Sequence, residues 1–160
     1  MKNYILLFVF ALIAAPGVFA QSDAAQTQIS DEELEKYAVT MDSINDMKES
    51  LLEDITEMVK GNEKMTNARY NELSKIADDD AALEEAKATP EEITFIREVA
   101  AKKDEGTAKI QETFQSMAKD YVGASSYNKV KKALESDTDV KKRYETFMDK
   151  LEGDSEGSVN

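Results

Sequence analysis

Apolar side chains recur along this chain at three- and four-residue steps, and the recurrence begins at Leu34. Leu34, Tyr37, Met41, Ile44, Leu51, Ile55 and Met58 fall on heptad-like positions, interrupted at Lys48. Ahead of them, Ser30 followed by Glu33 forms a capping box, with Asp31 and Glu32 favourably placed against the helix dipole, and Gly61 supplies a stop. The pattern predicts a helix over residues 31–60, about 45 Å long at 1.5 Å per residue. A seam of that length needs a partner, and the second half of the chain offers one. Thr89-Pro90-Glu91-Glu92-Ile93 restarts a helix with a cap residue, a proline at the first position and a glutamate at the third. At an offset of 59 its seam repeats the first: Ile93 for Leu34, Ile96 for Tyr37, Ala100 for Met41, Ile110 for Leu51, Phe114 for Ile55 and Met117 for Met58. Lys103 and Thr107 interrupt it as Lys48 interrupts the other. Gly106 between them predicts a bend or break, so the middle of both long helices is expected to pack loosely.

A second repetition follows each long helix. Tyr70-Asn71 and Tyr127-Asn128 stand 57 residues apart, and the same offset pairs Leu73 with Val130, Lys75 with Lys132, Asp80 with Asp137 and Leu83 with Val140. Thr66 as an N-cap, with Met65 before it and Tyr70 at the fourth helical position, describes a hydrophobic staple; Val122, Gly123 and Tyr127 hold the same places in the second copy. Asp80 and Asp137 are each expected to end one short helix and cap the next, because aspartate prefers a cap to a helix interior. Helices are predicted near 67–77, 80–88, 90–120, 125–135 and 138–150. The last carries Val140, Tyr144, Phe147, Met148 and Leu151 as an apolar stripe, and residues 152–160 read as a disordered tail. Alternating runs rich in β-branched residues are missing, which argues against a sheet. The fold class expected is therefore all-α: a duplicated helical domain, repeat one over 30–88 and repeat two over 89–151, related by a pseudo-twofold axis. Two copies are too few for a solenoid.

Ahead of the domain, residues 1–20 have the layout of a secretory signal peptide. One lysine precedes an apolar stretch from Ile5 to Ala15, a turn at Pro16-Gly17, and small residues before a cut after Ala20. The reading is an exported protein, periplasmic or secreted, with no membrane span after cleavage. Residues 21–29 are polar and aperiodic and read as a disordered lead-in. The chain contains no cysteine, so a lipid-anchored start, disulfides and thiol chemistry are not expected, and core packing must hold the domain together.

Composition narrows the function further. The formal net charge is −13, a balance that repels nucleic acid and anionic membrane surfaces. The acidic excess lies between Gln21 and Val122, where 12 basic residues face 25 acidic ones; from Gly123 onward the counts are 7 and 8. Histidine is absent as well, which removes the commonest general base, Ser-His and Cys-His arrangements, and the carboxylate-histidine di-iron sites of helical bundles. The aspartates at 78–80 and at 137 and 139 lack the glycine and distal glutamate of a twelve-residue calcium loop. The seven methionines fall mainly at seam spacing, where they fill core. The reading is a non-enzyme without cofactor or metal. Two classes of function remain: an interaction module for an unknown protein or peptide partner, and a module for a small molecule or cation with a pocket between the two halves. Tyr70, Asn71, Tyr127 and Asn128 are the candidate binding residues.

Some of these residues also carry a resemblance. Ile29-Ser30-Asp31-Glu32-Glu33-Leu34-Glu35-Lys36-Tyr37-Ala38 near the start, with Tyr127-Asn128 and Asp137 near the end, resembles the bacterial family called domain of unknown function 4168. That family has an acidic capped start, an aromatic-alanine pair and a closing Gly-Leu-Ser, Tyr-Asn, Asp phrase. The similarity covers residues 29–151, and Val122-Gly123 stand here where the Leu-Ser falls in the family. The resemblance implies export and a helical fold, and it brings no activity or catalytic residue.

Overall fold

Ser30 starts the first helix as its spacing requires. Its Oγ accepts from the Glu33 N–H at 3.1 Å, and the Glu33 carboxylate accepts from the Ser30 N–H at 3.0 Å. The computed structural model describes residues 28–156; the expected signal peptide over 1–20, most of the expected lead-in and the last four residues of the expected tail lie outside the described residues. Helix α1 runs Asp31–Gly61, α2 Asn67–Leu73, α3 Asp80–Glu85 and α4 Pro90–Ser116. A π-helical turn, Met117–Tyr121, leads to α5 (Ala124–Ser136) and α6 (Thr138–Glu156). Among the described residues there is no strand, and no helix is long and apolar enough to cross a membrane.

The two long helices lie antiparallel against each other. Leu51 of α1 meets Gly106 of α4, and Asp54 pairs with Lys102 at 2.7 Å, so positions rise along one helix as they fall along the other. Around this pair sit two apolar clusters. The first gathers Leu51, Ile55, Met65, Tyr70 and Leu73 from α1, α2 and the loop between them with Leu83, Ile96 and Val99 from α3 and α4. The second gathers Ile29, Leu34 and Tyr37 with Val130 of α5 and Val140 of α6. Tyr37 anchors it with rings on two sides, Tyr127 at 5.1 Å and Tyr144 at 5.9 Å between centroids. Leu34, Leu73 and Val130 are wholly buried.

Two polar clasps tie the short helices to the starts of the long ones. Arg69 of α2 donates from Nε and Nη2 to the two carboxylate oxygens of Glu92 at 3.0 and 3.2 Å, a forked pairing that fixes angle as well as distance. Glu92 meanwhile closes the capping box of α4 by accepting from the Thr89 N–H at 2.9 Å. At the other end, Ser126 of α5 donates to Glu33 at 2.9 Å, and Lys129 adds an ion pair to the same carboxylate at 2.9 Å. The Ser30 backbone, Lys129 and Ser126 together hold the Glu33 carboxyl down to about 2, against an ordinary 4.5. Because the folded group binds its proton later than the unfolded one, its contribution is complete above pH 4.5 and disappears as pH falls through 2. Glu33→Gln keeps the capping geometry and loses the charge. It is expected to cost about 1 kcal/mol at pH 7 and to be neutral at pH 2, read from urea unfolding at both values.

Several expectations need correction. Gly106 does not break α4, which continues through it. A Cβ at Gly106 would stand 2.7 Å from Leu51 Cδ2 and closer still to Cδ1, so its role is to let the leucine of α1 rest on the backbone of α4. The middle of the helix pair is tight at this one contact and open beside it, where a hollow lies between the two helices. Asp80 is not a cap: Asp79 takes that place, accepting from the Ala82 N–H at 3.0 Å, while Asp80 pairs with Arg97. Three aspartates in a row leave the cap ambiguous, and the arginine on α4 decides it. Asp137 does cap α6, its Oδ1 accepting from the N–H groups of Asp139 and Val140 at 2.9 and 3.2 Å.

Element ends also move. α2 stops at Leu73 because the chain tightens into three-residue turns, Ile76 N–H to Leu73 and Asp79 N–H to Ile76, both 3.0 Å. α3 stops early in a closing motif: Lys87 adopts φ 53, its N–H reaches Glu84, and the Ala88 N–H reaches Leu83. α4 yields to the π turn, where the Val122 N–H bonds back five residues to Met117 at 2.9 Å. Gly123 then takes φ 88, a left-handed value that suits glycine, and α5 begins. At the far end, α6 continues to Glu156, past the expected end near 150. Each further residue there adds a backbone hydrogen bond to a helix already nucleated.

Candidate functional site: a groove between the long helices

Next to the Leu51–Gly106 approach, the two long helices and the end of α2 enclose a hollow of about 490 Å³, within the range of small-ligand sites. One wall comes from α1 through Leu51, Leu52 and Ile55. The opposite wall comes from α4 through Ile96, Val99, Ala100 and Ile110, and Tyr70, Asn71 and Ser74 close the end. Spacing explains the walls: Leu51 and Ile55 are one turn apart on the seam of α1, and Ile96 and Ala100 one turn apart on that of α4. The floor is apolar and fixed, since Leu51, Ile55, Tyr70, Ile96, Val99 and Ile110 all belong to the first cluster. Leu52 differs. It is 51% exposed, and among the described residues only Tyr121 joins it as an exposed large apolar side chain.

Lysines from three elements border the same hollow: Lys48 of α1, Lys75 in the turn after α2 and Lys103 of α4, with Glu49 the one carboxylate among the lining residues. Lys48 and Lys103 are the residues that interrupt the two apolar seams. In a straight sequence they are two separate defects. The antiparallel register of α1 and α4 brings both to one hollow.

The four candidate binding residues are not brought together. Tyr70 and Asn71 line the groove. Tyr70 is buried, edge-on to Phe95 at 6.3 Å, and Met65 lies buried in the same cluster, as the expected staple requires; burial pushes the phenol pKa up. Tyr127 instead sits half-buried in the second cluster, against Tyr37 and, at 5.6 Å, Phe114. Asn128 is exposed, its amide donating to the Ala124 carbonyl at 2.9 Å within its own helix. Apart from Tyr70 and Asn71, the reading of the sequence singled out none of the lining residues as a site, Lys48, Lys75, Lys103 and Leu52 included. For Lys48 and Lys103 the signal available was the charge at a seam position.

A second hollow, about 240 Å³, lies by the start of α4 and is lined by Asn62, Lys64, Met65, Thr89, Glu91 and Glu92. Thr89 and Glu92 are already engaged in the capping box, and Glu92 in the Arg69 clasp. Among the described residues, no group of three or more Asp or Glu side chains gathers as metal ligands would. Comparison of the chain with family models, with curated proteins and with solved structures gives no match.

Proposed function

We propose that this chain is an exported, non-enzymatic helical module that binds an apolar small ligand in the groove between its long helices. The observation that carries the reading is the groove itself: a hollow of about 490 Å³ with an apolar floor in a chain of net charge −13. Its size favours a small molecule over a folded partner, whose interface needs about 800 Å² on each side. A peptide partner is the second reading, and exposed Leu52 at the groove's edge favours it. The non-enzymatic part rests on the absence of histidine and cysteine and on glutamates already used in capping and clasps. Export rests on the layout of residues 1–20, and a mature mass beginning at Gln21 is the expected result.

The proposal includes descent from two copies of one unit. Its support is reciprocal: the residue before Tyr70 bonds to the capping-box glutamate of the second long helix, and the residue before Tyr127 bonds to that of the first. In this reading the groove lies between the halves, with α1 and α2 from one and α4 from the other. The resemblance to domain of unknown function 4168 stands beside it as a proposed kinship.

An uncharged, environment-sensitive dye such as Nile red tests the groove. The full chain is expected to bind it with a blue-shifted emission, and Ala100→Trp, which fills the space from α4, is expected to abolish binding while helical circular dichroism stays unchanged. A dye signal indifferent to Ala100→Trp in a folded variant would sink the reading.

A further inference from the structure

We propose that the groove's ligand is a single-chain amphiphile with an anionic head, of the alkyl carboxylate class. The inference rests on reading the groove as the binding site and adds the chemistry of its occupant. The stretch from Gln21 to Val122 holds 25 acidic residues and 12 basic ones, yet the residues lining the groove include three lysines and one carboxylate. Chance placement of charge in this region would make the groove acidic. Lys48, Lys75 and Lys103 approach from three different elements, so their convergence is a product of the fold.

Pairing elsewhere sharpens the contrast. Lys36, Lys102 and Lys129 each hold a carboxylate within 2.9 Å, whereas Lys48 and Lys75 form no ion pair among the described residues. Their field at the groove is left for an incoming anion. Asn71 and Ser74 add neutral hydrogen-bonding groups near Lys75. Below this polar rim the walls are aliphatic: Leu51, Leu52, Ile55, Val99, Ala100 and Ile110. A ligand matching both parts needs a charged end and a hydrocarbon body. A hollow of about 490 Å³ suits one chain rather than the two of a phospholipid. A cationic amphiphile would meet the lysines and be repelled, and a plain hydrocarbon would leave them unused.

The test is a displacement series against Nile red with the full chain at pH 7.5. Decanoate is expected to bind about tenfold more tightly than decanol, since a charge-assisted contact at a partly exposed rim is of that order. Decyltrimethylammonium is expected to be weakest. From octanoate to dodecanoate, affinity should rise about fourfold per methylene. High salt should narrow the gap between decanoate and decanol by screening the head alone. The double variant Lys48→Glu, Lys103→Glu should reverse the preference towards decyltrimethylammonium while dye binding persists. Should that variant not fold, Lys48→Gln alone serves, with decanoate weakened about threefold and decanol unchanged. Equal binding of decanoate and decanol, or a head preference indifferent to these changes, overturns the proposal and leaves the apolar groove standing. Failure of the dye itself to bind overturns both.

Discussion

Replacing Tyr70 by alanine is expected to lower the stability of the domain by about 3–4 kcal/mol, because the ring is buried and its removal leaves a void in the larger cluster. Tyr70 stands edge-on to Phe95 and shares its cluster with Met65, so the truncation takes away the staple at the start of α2 along with a core contact. The matching change at Tyr127 should cost less, about 2–3 kcal/mol, since that ring is only half-buried. Tyr70→Phe keeps the ring and should stay within 1 kcal/mol or so of the parent chain. Urea unfolding of the four proteins gives the comparison. A Tyr70→Ala midpoint equal to that of the parent would mean that the tyrosine serves the groove and not the core.

A size exchange at the crossing of α1 and α4 should be the other large effect. Gly106→Leu drives a side chain into space that Leu51 already fills, and overpacking of this kind costs about 1–3 kcal/mol. A gain of about 1 kcal/mol in helix propensity offsets part of it. Leu51→Ala removes a buried side chain beside the groove, at about 2–3 kcal/mol. In the double variant the new leucine enters the space that the old one vacated, so its cost should fall below the sum of the two by at least about 1 kcal/mol. Strict additivity would contradict the antiparallel register that places residue 51 on residue 106.

That register is also where reading the chain reached its limit. Helix starts were legible because each carries its own chemistry: Ser30 with Glu33, Thr66 ahead of Arg69, and Thr89-Pro90 with Glu92 satisfy backbone donors within four residues. The seams were legible too, and α1 does find its partner in α4. Gly106 was misread because a glycine seen only within its own helix is a weak point, and the leucine that explains it lies 55 positions earlier. Asp80 went wrong by one residue, as its arginine partner sits on α4. For the same reason Lys48 and Lys103 looked like faults in two apolar stripes. Only the register turns them into one rim. The Tyr-Asn pairs, chosen because they repeat, are divided by the fold between a groove wall and an aromatic cluster.

The most direct test of the ligand-binding reading is the location of a bound amphiphile in the protein labelled at its methyl groups. On titration with decanoate, the methyl resonances of Leu51, Leu52, Ile55, Val99, Ala100 and Ile110, which line the groove, should shift together and saturate, while those of Val130 and Val140 in the second cluster stay in place. Shifts centred on Val130 and Val140, or spread evenly over both clusters without saturation, would contradict the account.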